Sequence, residues 1–268
     1  MSKREEPGHF DSSRPNVARV YDYLLGGKDN FAADRAVGDQ IMASLPAVGM
    51  GVRAQRDVLG RVVRYLVGEA GITQLLDIGS GLPTADNVHE IAQRIEPETR
   101  VVYIDNDPVV LTHAQALLAD HKATFAVAGD LTDPGAILAD PEVQDKLDWD
   151  KPIGLLLCGI LHFLLDEDEP AERVAALRQA LPSGSYVFIH HLLAGDGEAA
   201  SVLQEEMQRG LGRVQFRTFD QVMEFFRGLE LVEPGLVLVP DWRPGTPASA
   251  ASDHPVLRLA CVGVARKP

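Results

Sequence analysis

From Gln74 onward, apolar runs of strand length alternate with stretches of helical spacing, and no other feature of this chain limits its fold as much. The runs are "QLLDI", "RVVYI", "TFAVA", "IGLLLC" and "SYVFIHH". Apolar runs of this kind suit strands buried on both faces. The helical stretches between them, at about 84–95, 108–120, 134–146 and 169–181, are long enough to return the chain to the same end of each next strand. The pattern predicts an α/β fold with a mostly parallel sheet and helices on both faces. Helices follow near 198–210 and 219–228. Then "LELVEPGLVLV" and "VLRLACVGVAR" read as two final strands, joined by the long loop "PDWRPGTPASAASDHP". No period of twenty to fifty residues recurs, which excludes a solenoid.

The first seventy residues have a different texture. Val17, Val20, Tyr21 and Leu24 share one helix face behind Pro15, and the run stops at Gly26-Gly27. A second helix is predicted over about Ala32 to Met42, and Val58, Leu59, Val62, Val63, Leu66 and Val67 mark the buried stripe of a third. Residues 1–70 are expected to form a helical arm or lid, and residues 71–268 one compact unit. With 268 residues and 46% hydrophobic content, the chain can bury a substantial core. Its formal net charge of −14 disfavours nucleic acid and anionic membrane surfaces as partners. The opening "MSKREEPGHF" lacks the apolar stretch of a secretory signal, and "IGLLLCGILHFLL" is too short to span a bilayer, so a cytoplasmic protein is expected. Two cysteines, Cys158 and Cys261, lie in apolar runs without ligand spacing, so no metal site is expected.

The segment "LLDIGSGLPTADN" places Gly79, Ser80 and Gly81 directly after the first strand, with Pro83 at a plausible first helical position. Such a turn lets backbone touch a ligand, and a following helix would offer it free N–H groups. The second strand ends in Asp105, where a carboxylate can accept bonds from both ribose hydroxyls, and the third ends near Asp130, within reach of an adenine amine. Asp107, before Pro108, reads as a helix cap. Two cofactor classes fit these residues, nicotinamide dinucleotides and S-adenosylmethionine. The dinucleotide pattern G-x-G-x-x-G/A is broken at Thr84, behind Pro83.

The order of "LLDIGSG", "YIDND", "AGDL" and "LLLCGILHF" resembles the class I S-adenosylmethionine-dependent methyltransferases. That resemblance implies a Rossmann-like fold with a seven-stranded, mostly parallel sheet whose last strand is antiparallel and lies beside the fifth. "RVYDYLLGGKDNFAADR", "DNDPVV", "LHF", "PSGSYV" and "LELVEPGLV…WRP" resemble, more narrowly, the actinobacterial S-adenosyl methyltransferase family, long known as a domain of unknown function. It implies Gly79, Ser80 and Gly81 around the methionine moiety of the cofactor, with Asp77 at the base of the turn. Asp105 falls on the ribose with Asn106 beside it, Asp130 and Leu131 on the adenine, and Cys158 near the sulfonium. Pro83 stands where many of these enzymes have a third glycine.

In such folds the ligand lies above the carboxyl ends of the strands, and residues 15–45 are the best candidate cover. Tyr21 and Tyr23 would form an aromatic wall and Gly26-Gly27 a close bend. Lys28, Asp29 and Asn30 would offer polar groups to cofactor or substrate. Methyl transfer needs alignment and exclusion of water more than a base. His162, in "LHFLLDED", sits where some similar small-molecule O-methyltransferases use a histidine as base; with Tyr21 it is the candidate catalytic residue. His190 and His191 point to opposite sheet faces and cannot share a metal, though one can line the pocket. "HEIAQ" lacks the second histidine of a zinc protease, and Ser80 lacks the earlier glycine of a hydrolase elbow. The expected function is S-adenosylmethionine-dependent methylation of a small molecule. An NAD(P)-dependent oxidoreductase and a non-enzymatic cofactor-binding regulator are the alternatives.

Overall fold

The computed structural model describes residues 11–83, 86–118, 121–195, 197–244 and 254–268. Five parallel strands, β1 (Gln74–Ile78), β2 (Arg100–Asp105), β3 (Thr124–Ala128), β4 (Gly154–Cys158) and β5 (Tyr186–Leu192), are ordered β3-β2-β1-β4-β5. The strand order reverses between β1 and β4, which opens a crevice above their carboxyl ends. The predicted sixth strand is interrupted at Pro234-Gly235. It forms two short pieces, β6 (Glu230–Leu231) and β7 (Val237–Leu238), each antiparallel to β8 (Ala260–Arg266). The sheet therefore has eight strands rather than seven. β8 is antiparallel to β5 and lies between β5 and β6. Only part of the last predicted run is strand, because Pro255–Arg258 closes a 3₁₀ turn before it. The loop ahead of it, at 245–253, lies outside the described residues, as do residues 1–10.

Side chains alternate across the strands and sort the core into layers. Leu76, Ile78, Val102, Ile104, Leu155, Leu157, Val187 and Ile189 face α6 (Pro134–Ala139), α7 (Pro141–Lys146), α8 (Pro170–Ala180) and α10 (Phe219–Met223). The predicted single helix at 134–146 is split because Pro141 cannot continue α6 and instead starts a new helix capped by Asp140. Leu75, Val101, Tyr103, Leu156 and Phe188 face the other way, onto α3 (Val48–Gly68), α4 (Val88–Ile95) and α5 (Pro108–Leu118).

A third cluster lies above the strand tips. It joins α1 (Val17–Leu24), α2 (Ala32–Ser44), the first turns of α3, α9 (Glu198–Leu211) and the 256–259 turn through Val20, Ile41, Val52, Leu203, Phe216 and Val256. The cover is thus assembled from both ends of the chain, and α3 serves the cover with Val52 and the sheet with Val58, Val62 and Leu66. Asp34, fully buried, locks α1 to α2: its carboxylate accepts from the Asn16 and Phe31 amides (2.9 and 2.8 Å) and pairs with Arg19 at 3.2 Å. Among the described residues no helix is long and apolar enough to cross a membrane.

Candidate active site

The glycine turn leaves β1 with Gly79 at φ 73° and Gly81 at φ 68°, left-handed conformations that favour glycine. Its amides are not free. Gly79 and Ser80 donate to the Ile104 carbonyl (2.8 and 3.2 Å), and Gly81 donates to Asp105 Oδ2 (2.9 Å). The helix expected from residue 84 starts only at Val88, with Asn87 as its cap, and residues 84 and 85 lie outside the described residues. Pro83 is therefore not a first helical residue, and no helix N-terminus meets the turn. Among the described residues the turn does not offer the ring of free N–H groups that holds a pyrophosphate. What faces the crevice is the glycine backbone with three carboxylates beside it.

Those carboxylates share one physical origin: each stands at a strand tip above the sheet. Asp77, 4% exposed, is pushed up to about 7 by burial, against the pull of the Arg56 guanidinium and with a further rise from Asp105. Burial raises Asp105 as well, while the amides of Asp107 and Gly81 hold it back; each of its oxygens accepts one amide and keeps capacity for a further donor. Burial also opposes ionisation of Asp130, yet bonds from the Thr132 amide (2.8 Å) and the Asn106 side chain (2.9 Å) leave it below the ordinary carboxylate value. Asp107 bonds the Val109 amide at 2.7 Å, as its capping role requires.

A cavity of about 450 Å³ joins these groups to the space under the cover. It is lined by every predicted cofactor residue: Asp77, Gly79, Ser80, Gly81, Asp105, Asn106, Asp130, Leu131 and Cys158. Tyr21, from α1, and His162, from the turn after β4, line it too. The Tyr21 hydroxyl reaches the Val52 carbonyl at 3.4 Å, and burial drives its pKa far up, so it remains a neutral phenol. Cys158 stays a thiol, pushed up to about 12 by burial, with the Gln55 amide 3.7 Å from its sulfur.

The other cover residues sit elsewhere. Tyr23, Gly26, Gly27, Lys28, Asp29 and Asn30 do not line the cavity. Gly26 (φ 84°) and Gly27 end α1 by donating to Tyr23 and Asp22 carbonyls, and buried Asp22 gathers the Asp29 amide (2.9 Å) and the Asn30 side chain (2.8 Å). A Cβ on Gly27 would fall 1.9 Å from Asp22 Oδ1. The double glycine therefore lets the chain wrap a buried carboxylate. Tyr23 bonds Asp39 at 2.6 Å on the outer side of the cover.

Sequence reasoning missed Arg56, Gln55 and Arg217. The first two project from α3 into the cavity; Arg217, 2% exposed, bonds the carbonyls of Leu161 (3.1 Å) and Leu164 (2.8 Å), Asp166 (3.1 Å) and His191 Nε2 (3.3 Å). It fixes the 161–166 turn that carries His162. Nothing in the spacing of these residues marks them, because each comes from an element remote in sequence from what it touches.

The family model described as S-adenosyl methyltransferase matches residues 3–268. The chain belongs to the S-adenosyl methyltransferase family. A candidate methyltransferase from Thermobifida fusca YX is 44% identical and superimposes with a TM-score of 0.92, covering 95% of this chain and 96% of its own. A DUF574 family protein from Streptomyces avermitilis MA-4680 is 43% identical with a TM-score of 0.92, covering 96% and 99% respectively. At 13% identity, the N-methyltransferase NodS from Bradyrhizobium japonicum WM9, solved with S-adenosyl-L-homocysteine, shares the fold (TM-score 0.51; 93% of this chain, 99% of that one). No curated protein matches the chain. The methyltransferase uses S-adenosylmethionine, and its crevice fits that cofactor. Carboxylates and engaged amides suit a ligand that carries positive charge, and a Cβ on Gly79 would come within 2.6 Å of Ile160, so the turn has no spare room there.

Because Asp77 lines the cavity with a raised pKa, pH-dependent cofactor binding is the expected result. Its raised pKa means the empty protein holds a proton that the unfolded chain has lost, so this group's contribution to stability is present below pH 4 and fades as pH rises to about 7. A cationic ligand beside it favours the ionised form, so affinity should rise with pH and level off above about 7. Below that point the loss should approach about tenfold per pH unit. Calorimetric titration across pH 5.5–8 checks this, and Asp77→Asn should flatten the profile.

Proposed function

We propose that this methyltransferase acts on a small molecule held under the helical cover, and that the predicted site residues divide between cofactor and acceptor. One observation carries the reading. A single cavity runs from the glycine turn and the strand-tip carboxylates to an apolar chamber bounded by α1, α2, α9 and the 256–260 segment, with His162 among its lining residues. S-adenosylmethionine, when bound, supplies an electrophilic methyl group.

The remaining work belongs to the chain. Gly79, Ser80 and Gly81 hold the methionine end beside Asp77; Asp105 has acceptor capacity for ribose hydroxyls, and Asp130, with Asn106 and Leu131, for the adenine side. Tyr21 and the cover exclude water, and Cys158 gives a neutral floor. His162 is neutral, because burial and the His191 and His190 rings hold its pKa well below the ordinary imidazole value. It can therefore take a proton from the acceptor. The cover acts as the lid, and a cytoplasmic setting and the absence of nucleic acid from the reaction belong to the same reading. Nothing observed favours the oxidoreductase or the regulator.

Calorimetry with S-adenosylmethionine and with NAD separates the cofactors, and binding of NAD alone would reverse the reading. Asp105→Ala should weaken S-adenosylmethionine binding by about 1–3 kcal/mol. Unchanged affinity would remove Asp105 from the site.

A further inference from the structure

The cavity is chemically divided. Its lining carboxylates are Asp77, Asp105 and Asp130, all at the sheet end, where Arg56 also lies. The walls from α1, α2, α9 and the 256–260 segment contribute side chains such as Val20, Ile41, Leu203, Met207 and Val256 and, among the described residues, no ionisable group except the Tyr21 phenol. Arg213 reaches the lining too, but its guanidinium is held by Glu167 (3.1 Å) and Asp168 (2.5 Å).

Two imidazoles, His162 and His190, line the same cavity. His190 is in register with Cys158 on the neighbouring strand and shares its sheet face, while His162 comes from the turn beyond β4. Both are buried, at 2% and 4% exposure, and in each ring Nδ1 is sealed without a partner. Among the described residues neither Nε2 makes a hydrogen bond and neither is sealed, which leaves it as the atom a ligand can reach.

We propose that the methyl acceptor is an uncharged, largely apolar molecule methylated on a hydroxyl group, and that this hydroxyl is seated between Nε2 of His162 and Nε2 of His190. This rests on the methyltransferase reading above. An amine would leave a methylated ammonium between two neutral imidazoles with, among the described residues, no carboxylate on the chamber walls to receive it, and a carboxylate acceptor would find no uncommitted cation on those walls among the same residues. A hydroxyl needs one acceptor and one donor, which two neutral imidazoles provide. The acceptor oxygen forms its bond to the methyl carbon as the carbon–sulfur bond breaks and its electron pair stays on sulfur. The hydroxyl proton passes to the bare nitrogen of His162 and then to water. A weak base is enough, because an oxygen that has gained a methyl while keeping its proton is strongly acidic. His190 is the positioning partner that donates to the same oxygen.

The test is a matched panel of alkyl-substituted phenols, benzylamines and benzoic acids, offered to the wild-type protein. Binding is read as the rise in Tm of the S-adenosylhomocysteine complex, and transfer as the mass of methylated product. Phenols should raise Tm and be methylated on the order of 100-fold faster than matched amines or acids. His162→Gln and His190→Gln should each lower kcat/KM on the order of 100-fold with cofactor Kd unchanged. Preference for amines or acids, or cofactor binding with no phenol bound or methylated, overturns the acceptor assignment; so does a His190→Gln protein that folds and handles acceptor like wild type. Absence of cofactor binding instead overturns the reading beneath it, and calorimetry tells the two failures apart.

Discussion

Gly79→Ala should reduce S-adenosylmethionine affinity at least 100-fold and lower the thermal midpoint. At φ 73° an alanine carries a left-handed penalty of about 1–2 kcal/mol. The added methyl would also sit 2.6 Å from Cγ1, 2.7 Å from Cδ1 and 3.0 Å from Cβ of Ile160. Ile160 is branched at Cβ and follows Gly159, itself at φ 69°, so it cannot simply swing aside. Either the turn opens and loses the Gly79 and Ser80 bonds to Ile104, or Ile160 moves and takes the neighbouring His162 turn with it. Overpacking of this kind adds about 1–3 kcal/mol. Gly71→Ala is the control: its φ is 70°, but nothing lies within 4 Å of the added carbon. It should carry the backbone penalty alone and bind cofactor normally. Calorimetry and thermal melts on the two variants decide the matter, and equal affinities would show that the turn does not hold the ligand.

Arg217→Ala should be the most destabilising single change around the chamber, by about 3 kcal/mol, because it strands buried neutral acceptors, each of which costs about 1–3 kcal/mol when left unsatisfied. The Leu161 and Leu164 carbonyls and His191 Nε2 lose their donor at once, and Asp166 loses a charged neighbour. Burial holds the guanidinium below its ordinary pKa and Asp166 raises it, but arginine stays charged at any working pH. Lysine should rescue little, since one ammonium cannot reproduce bonds made through both terminal nitrogens of a planar fork. Denaturant melts measure the loss. At temperatures where the variant is still folded, acceptor turnover should fall while cofactor affinity holds, because the 161–166 turn, and not the glycine turn, has lost its anchor. Wild-type stability would show that these bonds are replaced by water.

Much of the site was legible because its chemistry sits at strand ends. A buried strand fixes the face of each side chain by alternation, so Asp77 must share a face with Leu75, Asp105 with Tyr103 and Cys158 with Leu156. Parallel pairing then brings those tips to one edge. Tyr23, read as aromatic wall, bonds Asp39, and Lys28, Asp29 and Asn30, read as polar groups for the ligand, do not line the cavity; the Asp29 amide and the Asn30 side chain bond Asp22 instead. Their sequence alone does not reveal that the recipient of those bonds is an aspartate of the preceding helix. The glycine turn was located correctly, but the free N–H groups expected from a helix directly after it are not beside it: α4 starts at Val88, and the turn's own amides bond Ile104 and Asp105 of β2.

Local pattern by itself determined the α/β class, the glycine turn after β1, the acids at the strand tips and the helical cover, because helix and strand periods and cap residues act over a few positions. Only tertiary structure decided which groups meet across the crevice. Arg56 of α3 beside Asp77, His190 beside Cys158, Arg217 beneath the His162 turn and α9 closing the cover made at the other end of the chain are all contacts of this kind. They join residues tens of positions or more apart, where chain closure and packing, not local propensity, select the partner.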